Sequence, residues 1–210
     1  MKYIIMAGGV YSDVDTHRHL FKINGEPIIA RTIRMLREMG ITDIAISSLD
    51  RVYDGFGVER LEHDNHYICD DIRTIWTTAF YPTDYPVCYL FGDVVYSEQA
   101  LRKIIETDTD SIEYFASAPP YDSRYVKHWE EPFALKVIDT KYFSQCLKTC
   151  QDLAAINAFK RGPIMWELWQ VIKRTPLNIV DNTNYVVIND YTCDVDSIEE
   201  LEELVRRAGL

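Results

Sequence analysis

The front half of the chain alternates short apolar runs with stretches whose apolar residues recur every three to four positions. Residues 3–6 read as a buried strand. Residues 27–39 read as a helix: Ile29, Ile33 and Leu36 fall on one face, Arg31, Arg34 and Arg37 lie mostly elsewhere, and Gly40 stands at the stop. Residues 43–47 (DIAIS) form a second strand, and residues 71–79 are expected to be helical despite their β-branched content. Residues 87–91 (VCYLF) are a buried-type strand ending at Gly92-Asp93, after which Ser97 caps a helix carrying Leu101, Ile104 and Ile105 on its inner face. Strands separated by helices in this order imply a largely parallel sheet with crossover helices.

The second half is less regular. Residues 111–117 and 133–138 read as strands, and residues 119–132 (PPYDSRYVKHWEEP) between them as a long polar and aromatic loop. Residues 141–147 and 164–173 are expected helices, and residues 185–188 a late strand. The last helix is the clearest. Ser197 with Glu200 makes a capping box, Leu201, Leu204, Val205 and Ala208 share a face, and Gly209 ends the run.

Length and composition narrow the picture. The chain has 210 residues, enough for one domain with a full core, and 47% hydrophobic with 26% charged residues is a globular balance. No apolar stretch is long enough to span a bilayer and the first residues do not read as a signal peptide, so a cytoplasmic protein is expected. The five cysteines, Cys69, Cys88, Cys146, Cys150 and Cys193, include no Cys-x-x-Cys pair, so reduced structural thiols are expected. Net charge is −11, from 22 basic and 33 acidic residues. That balance argues against a nucleic-acid surface but not against a single nucleotide, whose site needs a few local donors and a metal carrying its own charge.

In an open parallel sheet, ligands bind beyond the carboxyl ends of the strands. Three places qualify: the turn Ala7-Gly8-Gly9, Asp93 after VCYLF, and Asp194-Val195-Asp196 before the last helix. Each has a plain structural alternative, as a tight turn, a loop acid, or acids favoured by a helix dipole. Taken together, a glycine turn and two acidic points on one rim suit a nucleoside triphosphate with Mg²⁺, which takes a few carboxylates and completes its shell with phosphate oxygens and water.

These motifs carry a resemblance. Met6-Ala7-Gly8-Gly9, then Leu20 and Ile23-Asn24-Gly25-Glu26-Pro27, then Leu90-Phe91-Gly92-Asp93-Val94 and Cys193-Asp194-Val195-Asp196-Ser197 resemble, in order, the motifs of the nucleotidyltransferase family. That family includes the sugar-phosphate nucleotidylyltransferases and the choline-phosphate and related cytidylyltransferases. The resemblance spans nearly the whole chain and implies an α/β, Rossmann-like three-layer fold with a mixed, mostly parallel sheet. It implies one domain over residues 1–210, with an acceptor-binding elaboration around residues 118–175. The activity implied is transfer of a nucleoside monophosphate, CTP being the favoured donor, to a phosphorylated or phosphonate small molecule with release of pyrophosphate. Surface polysaccharide or lipid head-group synthesis would be its setting. Mg²⁺ is the implied cofactor, and a homodimer is implied because relatives often dimerise.

Residue by residue, the resemblance assigns the metal to Asp93, Asp194 and Asp196, catalysis to Arg18, Asp93 and Asp196, and the nucleotide to Ala7, Gly8, Gly9, Arg18 and Asp71. Arg124, Lys127 and Lys136 are candidate donors to the acceptor, with Tyr121, Tyr125 and Trp129 as walls. The chain also departs from the pattern. The family's Gly-x-Arg is replaced by Tyr11-Ser12-Asp13-Val14-Asp15, and its Pro-Lys falls on His17-Arg18, so Arg18 takes the role of the phosphate-reaching lysine. His17-x-His19 with His63 and His66 lacks a matching Cys or carboxylate spacing for zinc. Two other readings stay open. One is an A-type glycosyltransferase, whose Asp-x-Asp normally follows a middle strand. The other is a non-catalytic nucleotide-binding relative, which the altered loop favours.

Overall fold

The computed structural model describes residues 1–8, 17–64, 68–70, 73–118, 130–159, 163–177 and 184–210, without the side chains of 68–70 and 73–76. Seven strands form the main sheet: β1 (Lys2–Met6), β2 (Ile44–Ser47), β3 (Glu59–Leu61), β4 (Val87–Phe91), β5 (Ile112–Ser117), β6 (Pro132–Val137) and β7 (Val186–Ile188). Their order is β3-β2-β1-β4-β6-β5-β7. Every neighbouring pair is parallel except those made by β6, which runs against β4 and β5. The fold class is therefore the expected mixed, mostly parallel α/β sheet.

Helices cover both faces. Paired residues on neighbouring strands share a face, so the Tyr89–Leu135 and Tyr114–Leu135 pairs put Tyr89 and Tyr114 on one side, and the Lys136–Cys88 pair defines the other. Against Tyr89 and Tyr114 lie α3 (Thr140–Ala155) and α4 (Met165–Lys173). Phe143 stands 6.0 Å from the Tyr89 ring, and Trp166 5.2 Å from the Tyr114 ring. On the other side, α1 (Ile28–Glu38) packs on α2 (Glu98–Glu106), whose last turn meets Lys136. Ile4, Ile5, Leu36, Leu90, Phe115, Leu135 and Trp169 lie in one continuous core. A second, smaller cluster joins Phe21, Ile28, Val95 and Val195 to Leu201 and Leu204 of α5 (Ile198–Ala208).

Several boundaries differ from the sequence expectation, each for a local reason. Residues 73–79, the described part of the expected helix at 71–79, do not make one. Ile68–Asp70 and Arg73–Ile75 pair as an antiparallel hairpin, followed by a 3-10 turn at Trp76–Thr78, as suits a stretch rich in Ile and Thr. Helix α3 runs eight residues beyond the expected end because Phe143, Cys146, Cys150 and Ala154 continue one buried face. At α5 the Ser197 hydroxyl accepts the Glu200 N–H at 3.2 Å. The Glu200 carboxylate takes the N–H of Asp196, at 2.8 Å, in place of that of Ser197.

The end of β4 meets the end of β1 at an unusually close approach. Gly92 donates its N–H to the Met6 carbonyl at 3.0 Å. A Cβ on Gly92 would lie 2.5 Å from that same oxygen and 2.7 Å from Cδ2 of His19. His19 is buried, its Nδ1 3.0 Å from the Tyr53 hydroxyl. Burial first, and then the charges of His17 and Arg18, push its imidazole down to about 3. His19 is thus a neutral wedge between the loop that follows β1 and the Gly92-Asp93 turn.

This wedge generates two predictions. Gly92→Ala should destabilise by about 2 kcal/mol or more, since neither the Met6 backbone nor the buried ring can yield cheaply. A thermal midpoint unchanged from wild type would contradict the packing described. The second concerns acid. His19 binds no proton in the folded protein until about pH 3, whereas in the unfolded chain it titrates near its ordinary value of 6.5. Stability should therefore fall as pH drops from about 6.5 towards 3, by up to about 5 kcal/mol in all. Unfolding titrations between pH 7 and pH 4 should show a shallower slope for His19→Gln than for wild type.

Candidate active site

The sheet brings three segments to its carboxyl edge. β1 continues into Ala7 and Gly8, and the Ala7 N–H donates to the Ser47 carbonyl at 3.0 Å, which anchors the start of the turn to the end of β2. Beside it, β4 leads through Gly92-Asp93 into Val94–Val95. This two-residue strand pairs antiparallel with Cys193–Asp194, with Val94 opposite Asp194. The Val195 N–H then donates to the Asp93 carbonyl at 3.1 Å. The Gly-Asp and Asp-x-Asp motifs therefore lie side by side on one short ribbon.

The ribbon is clamped from behind. The Ser97 hydroxyl accepts the Ala100 N–H at 2.8 Å, capping α2, and donates to Asp190 at 2.6 Å. The Ser97 N–H donates to the Thr192 hydroxyl at 3.0 Å, and the Thr192 N–H to Asp190 at 2.8 Å. Arg31 of α1 donates to the Tyr96 carbonyl at 2.5 Å and to the Tyr191 hydroxyl at 3.2 Å. One helix cap and one arginine thus fix both strands of the ribbon, which sets where Asp93 and Asp194 stand.

Above the ribbon, the loop before α1 supplies positive charge. Arg18 opens the 3-10 turn Arg18–Leu20 and its guanidinium pairs with the Asp196 carboxylate, Arg18 being the less exposed partner at 22% against 41%. His17 Nε2 lies 2.7 Å from an Asp50 carboxylate oxygen. The Val52 N–H, and then His17, hold the Asp50 carboxyl below its ordinary value. Tyr53 is fully buried, and burial together with Asp50 and Asp93 pushes its phenol upward, so it stays a neutral partner for His19.

The expected residues separate accordingly. Ala7, Gly8, Arg18, Asp93, Asp194 and Asp196 come to the same rim. Gly9, Asp71, Arg124 and Lys127 lie outside the described residues, as do Asp13 and Asp15. Lys136 does not belong with the acceptor donors. It pairs with Cys88 near the start of β4, at the opposite end of the sheet from Phe91. There it is buried, and its ammonium donates to the carbonyls of Ile105 at 3.0 Å and Thr107 at 2.7 Å. Burial lowers its pKa, and its role is to cap the carboxyl end of α2. The described residues contain no group of three or more His, Cys, Asp and Glu side chains placed to hold a metal by themselves.

Sequence reasoning missed Asp50, Tyr53, and the ties from the Ser97 cap to Asp190 and Thr192. The carboxyl-edge rule could have found the first of these, since Asp50 follows β2 closely, but nothing in the spacing pairs it with His17. Tyr53 lies on a 3-10 stretch, Arg51–Phe56, that has no periodic signal to read.

No protein-family model matches the sequence, and no curated protein matches it. Solved structures match it over the whole chain. The inositol-1-phosphate CTP transferase from T. maritima shares 11% identity, covers 99% of this chain and 95% of its own, and superposes with a TM-score of 0.57. The CTP:phosphocholine cytidylyltransferase from Streptococcus pneumoniae shares 16%, covers 98% of each chain and gives 0.52. The 2-C-methyl-D-erythritol 4-phosphate cytidylyltransferase from Thermus thermophilus shares 9%, covers 100% and 98%, and gives 0.55. Identities this low speak to architecture, and on architecture they agree: the chain has the fold of the sugar-phosphate nucleotidyltransferases and cytidylyltransferases.

Proposed function

We propose that the protein is a Mg²⁺-dependent nucleotidyltransferase. It moves a nucleoside monophosphate from a triphosphate, CTP by preference, to a phosphorylated or phosphonate small molecule and releases pyrophosphate. The observation that carries this reading is the ribbon that joins Asp93 to residues 194–196, with Arg18 paired to Asp196 at the carboxyl edge of the sheet. The preference for CTP rests on the structural neighbours whose names specify CTP or cytidylyl transfer.

The donor set fits the metal. Carboxylates are hard oxygen ligands, and Mg²⁺ is commonly held by one or two of them together with substrate phosphates. Asp93 and Asp196, with Asp194, would hold it. Once bound, the ion would neutralise charge on the triphosphate. Arg18 would bind oxygens of the leaving pyrophosphate, where its planar fork suits paired phosphate oxygens. Gly8, just after β1, would let the nucleotide approach the backbone closely. The acceptor oxygen is already anionic near neutral pH, so no general base is required, and the protein's work is alignment and charge stabilisation. Arg124 and Lys127 remain the proposed donors to the acceptor.

The test is direct. With CTP, Mg²⁺ and a set of phosphorylated acceptors, pyrophosphate release should be detectable, and Mg²⁺ with CTP should raise the thermal midpoint more than Mg²⁺ with ATP, GTP, UTP or dTTP. Arg18→Ala and Asp93→Ala should each lower turnover by about 10²-fold or more while the circular dichroism of the fold persists. Near-normal turnover in both variants would remove the assignment. A midpoint shift with a sugar nucleotide but with no triphosphate would point to glycosyl transfer.

A further inference from the structure

We infer that Arg18 makes the carboxylate site selective for a metal–triphosphate complex over the bare cation. In the ligand-free protein Arg18 holds Asp196, and it gives that carboxylate up only when phosphate oxygens draw the guanidinium away. The inference rests on the nucleotidyl-transfer reading for the identity of the phosphate ligand. The ion pair itself belongs to the structure.

Two observations carry it. The first is the pairing. The guanidinium of Arg18 sits on the Asp196 side chain across 178 residues of sequence, and both partners are partly withdrawn from solvent. A guanidinium held on one oxygen of a carboxylate weakens that carboxylate as a ligand for a divalent cation, because the two positive charges repel, and that repulsion is screened less where solvent is partly excluded. The second is the small donor set: among the described residues, Asp196 included, no three acidic, His or Cys side chains converge on a point that could hold a metal. A cation arriving alone meets a site short of ligands, with one carboxylate already neutralised. A cation arriving with a triphosphate brings oxygens that complete its own shell and offers Arg18 a second anionic partner.

The exchange has a structural basis. Arg18 precedes His19, the buried wedge against Gly92, so its backbone position is fixed while its long side chain can swing from one anion to another. Asp196 is likewise fixed through its backbone, whose N–H donates to the Glu200 carboxylate at 2.8 Å. His17, on the other side of Arg18, is engaged by Asp50 and does not compete for Asp196.

The test uses Mn²⁺ alone, with free ion counted by electron paramagnetic resonance, on the full chain without nucleotide. Wild type should bind Mn²⁺ weakly. Arg18→Gln should bind it at least about fivefold more tightly, within the usual range of coupling between sites. The double variant Arg18→Gln/Asp196→Asn should lose that gain. Lys22→Gln serves as the charge control: it removes one exposed cation from the same segment and should change Mn²⁺ affinity much less. An unchanged affinity in Arg18→Gln, a gain that survives Asp196→Asn, or an equal gain in Lys22→Gln would each overturn the inference. If Arg18→Gln shows no gain while wild type still releases pyrophosphate, the exchange fails and the proposed function stands. If the gain runs through Asp196 but no triphosphate is ever cleaved, the exchange stands and the proposed function fails.

Discussion

The arrangement of this protein hangs on one close approach. Gly92 lies so near the Met6 carbonyl and the His19 ring that only a residue without a side chain fits there. Because of that contact, β4 ends level with β1, and the loop that follows β1 is wedged against the turn that carries Asp93. Everything on the rim inherits its position from this point. Arg18 is next to the wedge, Asp93 is next to the glycine, and the ribbon that begins at Val94 collects the 193–196 segment beside them. Parallel sheets put their ligands at such edges because loops from separate crossovers converge there while the strands below stay rigid. Here the convergence is drawn tight by an absent methyl group and a neutral, buried imidazole.

Much of this architecture was legible in the sequence, and the limits are physical. The strands of the sheet's centre announced themselves because they are buried on both faces, so their residues are apolar without interruption, as in VCYLF. The amphipathic helices were equally plain, α5 most of all, since Ser197, Leu201, Leu204 and Gly209 each obey a local rule. The pairing of residues 68–70 with 73–75 was misread because a three-residue strand leaves too few positions to separate period two from period 3.6. Strand β3 was missed for the same reason, with polar Glu59 and Arg60 in an edge strand.

The site was legible where chemistry and backbone coincide. Gly92-Asp93 and Asp194-Val195-Asp196 stand out by their combination at strand ends, since each acid taken alone has a plain structural use. Lys136 shows the opposite case. By composition it was a cation available to an anionic ligand, yet it lies near the end of β6, and its place beside the last turn of α2 follows from the antiparallel register of that strand, which no local pattern encodes. Its ammonium serves two carbonyls at the end of α2 instead. The partnerships of His17 with Asp50 and of His19 with Tyr53 were unreadable for a similar reason, since each joins loops more than thirty residues apart.

That separation in sequence bears on how the protein is made. The ribbon joins residues 94–95 to residues 193–194, the Ser97 cap reaches across 93 residues to Asp190, and the ion pair of Arg18 spans 178. Contacts of such range form late, because the chain between them must first be ordered. On the ribosome, where synthesis runs from the amino end, the core strands β1, β2 and β4 can gather long before Asp194 and Asp196 exist. The rim is thus the last part of the molecule to close. A chain stopped short of residue 193 would own most of the hydrophobic core and Asp93, yet lack the strand and the two acids that come to stand beside it.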